Sequence, residues 1–182
     1  MTDYEQCTVW SNGGLGYGFA MTFTPQITHT CKKLTLLLNA GGGAHAGDVT
    51  IQLVTGVTPN GTVIATFPFS WSGGGWQVVA TEISPGVSLS AYQMYGICCD
   101  NPAGWAYGDN SYNAYSHGGQ EFYKPGGSWI ALGTNIYFIE SGDAGPAGWS
   151  NIAKVDGISA ANLAKVNGIS VANIAKVNGV SV

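Results

Sequence analysis

Apolar and polar positions alternate with a period of two in short runs along most of this chain. In residues 48–55, Val49, Ile51 and Leu53 are opposed by Thr50 and Gln52. In residues 32–39, Leu34, Leu36 and Leu38 share one face, although Leu37 shows that the other face is not fully polar. Such alternation marks half-buried strands. Further runs fall at residues 7–10, 17–23, 63–69, 76–81, 92–99 and 136–140, separated by clusters of Gly, Asn, Pro and Ser. Glycine-rich turns are expected at residues 12–16 and 72–75. Strands recurring every ten residues or so, with almost no helix signal, predict an all-β sandwich or barrel. Residues 100–132 are rich in Tyr, Trp, Asn and Gly without clear periodicity, so they predict a functional loop or a set of irregular short strands.

The last 32 residues follow a different rule. One unit is written three times at a period of eleven: Asn151-Ile-Ala-Lys-Val-Asp-Gly-Ile-Ser-Ala-Ala, a second copy from Asn162 and a third from Asn173. Asp-Gly or Asn-Gly sits between two short apolar runs in each. These dipeptides tolerate the positive φ of a two-residue hairpin turn, so Val155 should pair with Ile158, Val166 with Ile169 and Val177 with Val180. A β-branched residue beside Asn-Gly in every unit argues against a helical eleven-residue repeat. Strands this short do not stand alone. The tail is therefore expected to need a partner: its own body, copies of itself, or another protein. Whether it does so by hairpins or by strands interleaved between chains is left open by the pattern. The expected apolar contacts are Ile152, Val155, Ile158, Leu163, Val166, Ile169, Ile174, Val177 and Val180. The predicted division is a sandwich domain at 1–143, a Gly/Pro linker at 144–150 and an oligomerisation or docking tail at 151–182.

Charge sharpens this division. Only 9% of the 182 residues are charged, and there is no arginine. Up to residue 150 there are nine acids against three lysines, net −6; the tail has three lysines against one acid, net +2. A nucleic-acid binder needs a basic face, so no nucleic-acid partner is expected. No run is long enough to span a membrane. The start, Met1-Thr-Asp-Tyr-Glu-Gln-Cys7, has neither the basic nor the apolar part of a secretory signal, which predicts synthesis in a cytoplasm. Cys7, Cys31, Cys98 and Cys99 show no zinc spacing. They read as buried thiols, with a Cys7–Cys31 disulfide as the alternative.

Several stretches resemble jelly-roll modules of bacterial and phage surface proteins, including choice-of-anchor and carbohydrate-binding-like sandwiches. They are Phe23-Thr-Pro-Gln, Lys33-Leu-Thr-Leu, Gly47-Asp-Val-Thr-Ile-Gln-Leu, Pro59-Asn-Gly-Thr-Val-Ile-Ala, Trp76-Gln-Val-Val, Val87-Ser-Leu-Ser-Ala-Tyr-Gln-Met-Tyr-Gly-Ile, Gly127-Ser-Trp129 and Tyr137-Phe-Ile. Their order holds over roughly two-thirds of the chain, about residues 22–142. The repeats also look like the carboxy-terminal repeats of phage fibre or capsid-decoration proteins. The resemblance implies a jelly-roll-like antiparallel β-sandwich used for attachment or glycan contact, followed by a short-strand β-repeat tail, with no catalytic residues to carry over.

Candidate chemistry is sparse. The three histidines are His29, in a turn between candidate strands, His45, in a glycine-rich stretch, and His117. A Cys98 or Cys99 pair with His117 has no motif behind it. Gly13-Gly-Leu-Gly-Tyr-Gly18 lacks the strand-then-helix context and the lysine of a phosphate cradle. Asn60-Gly-Thr62 is a formal glycosylation sequon that a turn explains equally. No acidic loop is dense enough for calcium, so no metal and no cofactor are expected. The richest cluster is Trp105, Tyr107, Asp109, Asn110, Tyr112, Asn113, Tyr115 and His117. Alternating rings and polar groups suit a sugar, whose C–H faces stack on aromatics and whose hydroxyls bond Asp and Asn. The competing reading is a tyrosine-rich lid or protein interface.

These readings converge on a non-enzymatic structural or attachment protein of a virion surface, of fibre or capsid-decoration type. It is expected to be a homo-oligomer, a trimer being favoured, or to bind other virion proteins through its tail. The alternatives are a lectin-like adhesin for a cell-surface glycan and a subunit of a self-assembling extracellular filament.

Overall fold

The computed structural model describes residues 1–8, 12–14, 18–100, 106–110 and 115–144, together with residues 154–155, 158–159, 165–166, 169–170, 176–177 and 180–181. Among these there is no helix. The chain divides into two units, Met1–Asp143 and Ala144–Val182.

The first unit is one curled antiparallel sheet of eleven strands. These are β1 (Thr2–Cys7), β2 (Asn12–Gly14), β3 (Gly18–Phe23), β4 (His29–Thr55), β5 (Thr58–Leu89), β6 (Tyr95–Cys99), β7 (Ala106–Asn110), β8 (Glu121–Lys124), β9 (Ile130–Ala131), β10 (Asn135–Ile136) and β11 (Phe138–Ala144). The main order is β1-β11-β4-β6-β3-β8-β9, with β5 on β4, and β7 joining β4, β2 and β10.

β4 and β5 form a single long ribbon rather than the four separate strands that the sequence pattern predicts. Residues 29–41 of β4 pair with residues 89–74 of β5, and residues 44–55 pair with residues 72–58. Between the two arms both strands shift register through glycine. Gly43, Gly73 and Gly75 have φ of 95°, 103° and 85°, a region costly for any residue with a Cβ. The Ser72–Gly75 stretch is thus not a hairpin turn. Each flanking run already has its partner in β4, and the glycines bend the ribbon instead. The expected turn at residues 12–16 contains a strand, β2, over its described residues; of the expected run at 7–10, Cys7 ends β1, and residues 9 and 10 lie outside the described residues.

The period of two places the core within β4 as far as Ile51; beyond it the register shifts, so that Gln52 is buried and Leu53 only partly so. Leu34, Leu36, Leu38, Val49 and Ile51 are fully buried, joined by Phe67 and Phe69 of β5 and by Phe19, Met21 and Phe23 of β3. β11 closes on β4 so tightly that a Cβ on Gly142 would stand 1.9 Å from the Thr30 carbonyl oxygen, which only glycine permits. β11 also carries β1 on its other side, with Cys7 opposite Phe138. The first and last strands of the unit therefore lie together, and that juxtaposition builds the polar site described below.

The second unit contains three separate two-stranded sheets: β12 (Lys154–Val155) with β13 (Ile158–Ser159), β14 (Lys165–Val166) with β15 (Ile169–Ser170), and β16 (Lys176–Val177) with β17 (Val180–Ser181). Val155 pairs with Ile158, Val166 with Ile169 and Val177 with Val180.

Candidate functional site

Two rings of the ring-and-polar cluster, Tyr107 and Tyr115, are buried. Tyr107 of β7 is 3% exposed and packs on Phe19, ring centroids 4.5 Å apart. Tyr115 is 5% exposed and meets Phe138 edge-on. Rings buried in this way offer no face to a sugar. Asp109 and Asn110 are held on β7 by pairing with Ile136 and Asn135 of β10. His117 alone is half-exposed among the described side chains of the cluster. Trp105, Tyr112 and Asn113 lie outside the described residues. In the tail, Val155, Ile158, Val166, Ile169, Val177 and Val180 fall on the paired strands, whereas Ile152, Leu163 and Ile174 lie outside the described residues.

What Tyr115 and His117 do instead is meet Glu5, from the opposite end of the unit. Glu5 is 2% exposed on β1. Its Oε2 accepts the Tyr115 hydroxyl at 2.7 Å and His117 Nδ1 at 2.7 Å, and its Oε1 accepts the Gln26 backbone N–H at 2.9 Å. Tyr115 Oη in turn accepts the Thr24 N–H at 3.2 Å. Burial, then the hydrogen bond and charge of Glu5, push the Tyr115 phenol up from its ordinary value, so it stays a donor.

Beside it lies a second pair. His29 is the first residue of β4, not a turn residue, and is fully buried, as is Glu140 of β11. His29 Nε2 stands 2.7 Å from Glu140 Oε2, and Nδ1 stands 2.9 Å from the Ile27 carbonyl oxygen. Both ring nitrogens face acceptors, so both positions need a proton. The pair therefore holds one proton more than a neutral imidazole beside a carboxylate, whichever partner is assigned it. Burial alone pulls the His29 pKa down. The Glu140 hydrogen bond, the Ile27 carbonyl and the charges of Glu140 and Glu5 outweigh it, and the net shift is upward. Tyr4 stacks on the imidazole, centroids 4.0 Å apart at 16°. Glu140 Oε1 has no hydrogen-bond partner among the described residues.

A third buried carboxylate, Glu121 on β8, accepts hydroxyls. Its oxygens accept the Tyr107 hydroxyl at 2.9 Å and the Thr134 hydroxyl at 2.7 Å. Asn135 next to it accepts the Tyr115 N–H through Oδ1 and donates to the Gly119 carbonyl through Nδ2.

These arrangements tie strand to strand: β1 to residues 115–117, β4 to β11, and β8 to β7. All four cysteines are buried thiols, Cys7 and Cys31 included. Burial, then the charge of Glu140, pushes the Cys31 thiol up, and burial does the same for Cys98. A protonated, enclosed thiol is a poor nucleophile. His117 is committed to Glu5. Among the described residues no group of three or more His, Cys, Asp or Glu is placed to hold a metal. Two open clefts exist in the first unit, one at His45 and Trp71, the other, of about 600 Å³, between residues 64–68 and 82–88 of β5.

Sequence reasoning missed Glu5, His29, Glu140 and Glu121. A faint signal existed: four ionisable residues set in or beside apolar strands of a chain with so few charges. Comparison with protein-family models, curated proteins and solved structures found no match.

Proposed function

We propose that this chain is a non-enzymatic structural or attachment protein of the virion-surface type, in which a β-sandwich of jelly-roll design is displayed by a carboxy-terminal repeat tail that joins it to other copies. The long ribbon of β4 and β5, bent upon itself and continued on β4's other side by β11, β7 and β6, suits the jelly-roll reading. The inward-facing chemistry of the first unit suits a scaffold better than a catalyst. The observation that carries the assembly role is in the tail. Its strands are two residues long, each bonded only within its own two-stranded sheet among the described residues. A two-stranded hairpin is marginal in water even at full length, so these gain stability from a further partner.

The test is the mass of the full chain in solution by sedimentation equilibrium. The unmodified chain is expected to assemble, a trimer being the first expectation. A chain carrying Val155→Ser, Val166→Ser and Val177→Ser is expected to sediment as a single copy with the circular dichroism of the first unit intact. Equal masses for the two would overturn the proposal.

A further inference from the structure

β1 pairs with β11 and with no other strand among the described residues, and its register shifts between Asp3 and Glu5. Thr2, Asp3 and Gln6 are exposed and Tyr4 is half-buried, which leaves Glu5 and Cys7 as its buried residues. A short edge strand with so little buried surface belongs to the part of a fold that opens first. Its hold is largely polar. The Glu5 carboxylate accepts the Gln26 N–H and the Tyr115 hydroxyl and meets His117. Tyr4 stacks on His29, and the Asp3 carboxylate accepts the Ser141 hydroxyl.

The register sets Glu5 directly opposite Glu140 of β11. Opposed residues of an antiparallel pair share a face, and like charges there push the strands apart. Both carboxylates are out of water, where such repulsion is poorly screened. Glu140 has one oxygen on His29 Nε2, and its other oxygen has no partner among the described residues. The proton that His29 and Glu140 share is therefore what lets the two carboxylates stand together. Its loss leaves His29 a single N–H for two acceptors, the Ile27 carbonyl and Glu140. It also adds a full negative charge across the β1–β11 pair.

We propose that β1 is a strap latched by this shared proton: as pH rises and the proton leaves, Glu5 and Glu140 repel, and β1 peels from β11 before the rest of the unit unfolds. This local release goes beyond the assembly role proposed above and is independent of the tail. The other ionisable groups facing the cluster are Tyr4 on β1, Cys31 on β4, and Tyr115 and His117. The Cys31 and Tyr115 shifts are upward, so both stay neutral. Farther along the same strands Lys32 bonds Asp143, and the charge of the Met1 amino group also reaches Asp143. That amino group is the competing latch, because α-amino groups titrate near pH 8.

Amide hydrogen exchange of the full chain, corrected for the intrinsic rate and read by mass spectrometry at about pH 6 and about pH 9, follows the strap directly. One linked proton changes an opening equilibrium by up to about tenfold per pH unit. Peptides covering residues 2–7 are therefore expected to lose about tenfold or more in protection at the higher pH. Residues 34–38 of β4 should stay at least about a hundredfold better protected than β1 there. The ratio between the two pH values is expected to collapse in His29→Asn and to shrink in Glu5→Gln, which removes the opposing charge. Protection of residues 2–7 that is independent of pH would overturn the proposal. So would protection equal to that of residues 34–38 at both pH values, because β1 would then open only with the whole unit. A ratio unchanged in Glu5→Gln would remove the repulsion, and one unchanged in His29→Asn would move the latch to the Met1 amino group; either result overturns the proposal.

Discussion

Two clusters in the first unit solve one problem in different ways. Glu140 and Glu121 are both fully buried carboxylates. Glu140 is met by a cation-forming ring, His29, and keeps one oxygen without a partner among the described residues. Among the described residues, Glu121 accepts two neutral hydroxyls, from Tyr107 and Thr134. An ion pair out of water gains strong attraction but leaves a large penalty when one partner is lost. Neutral donors gain less and also lose less. The two clusters should therefore differ in how they fail, by mutation and by pH.

The sharpest test is Glu140→Gln. It removes the carboxylate with which His29 shares its extra proton, leaving only the charge of Glu5 nearby, and should destabilise the first unit by about 3–5 kcal/mol. Urea unfolding of the full chain measures it. Glu121→Gln keeps one acceptor oxygen and sets an amide N–H₂ where the other hydroxyl donated, so about 1–3 kcal/mol is expected in the same assay. If the two substitutions cost the same, the contrast between charged and neutral partners is broken.

Proton linkage makes the third and smallest effect. The His29 pKa is raised in the folded state, so its contribution is fully present below the unfolded value near 6.5 and is lost as pH rises through the folded value. Between those two values stability should fall by up to about 1.4 kcal/mol per pH unit. Groups facing His29 are Glu140 and Cys31 on β11 and β4, Tyr4 and Glu5 on β1, and Tyr115 and His117 beyond them. The Cys31 and Tyr115 shifts are upward, which keeps both neutral across that range. Urea midpoints recorded from neutral to mildly alkaline pH should decline in the unmodified chain and in Tyr107→Phe, and flatten in His29→Asn. A decline that persists in His29→Asn would assign the linkage to another group.

Much of the strand content was legible. The alternation that marks residues 32–39 and 48–55 depends only on neighbours two apart; it places Leu34, Leu36, Leu38, Val49 and Ile51 inward, but the register shift after Ile51 buries Gln52 and leaves Leu53 only partly buried. Less legible was where runs join. Gly41–Gly47 and Ser72–Gly75 have turn composition, and only the presence of a partner strand turned them into a bend within one ribbon. The candidate cluster shows the same limit. Tyr107 and Tyr115 were marked by composition, but a tyrosine that stacks on a ligand and one that donates to a buried carboxylate have the same local sequence.

The sequence by itself determined the all-β character, the inward positions Leu34, Leu36, Leu38, Val49 and Ile51 of β4, and the three pairs Val155–Ile158, Val166–Ile169 and Val177–Val180. Each of these depends on backbone preference and side-chain period over a few residues. Only the tertiary structure decided that Glu5 would meet Tyr115 and His117, and His29 would meet Glu140. Those partners stand 110 to 112 residues apart. Their meeting depends on the closure of β11 onto β4 and β1, a contact between chain ends that no local pattern encodes.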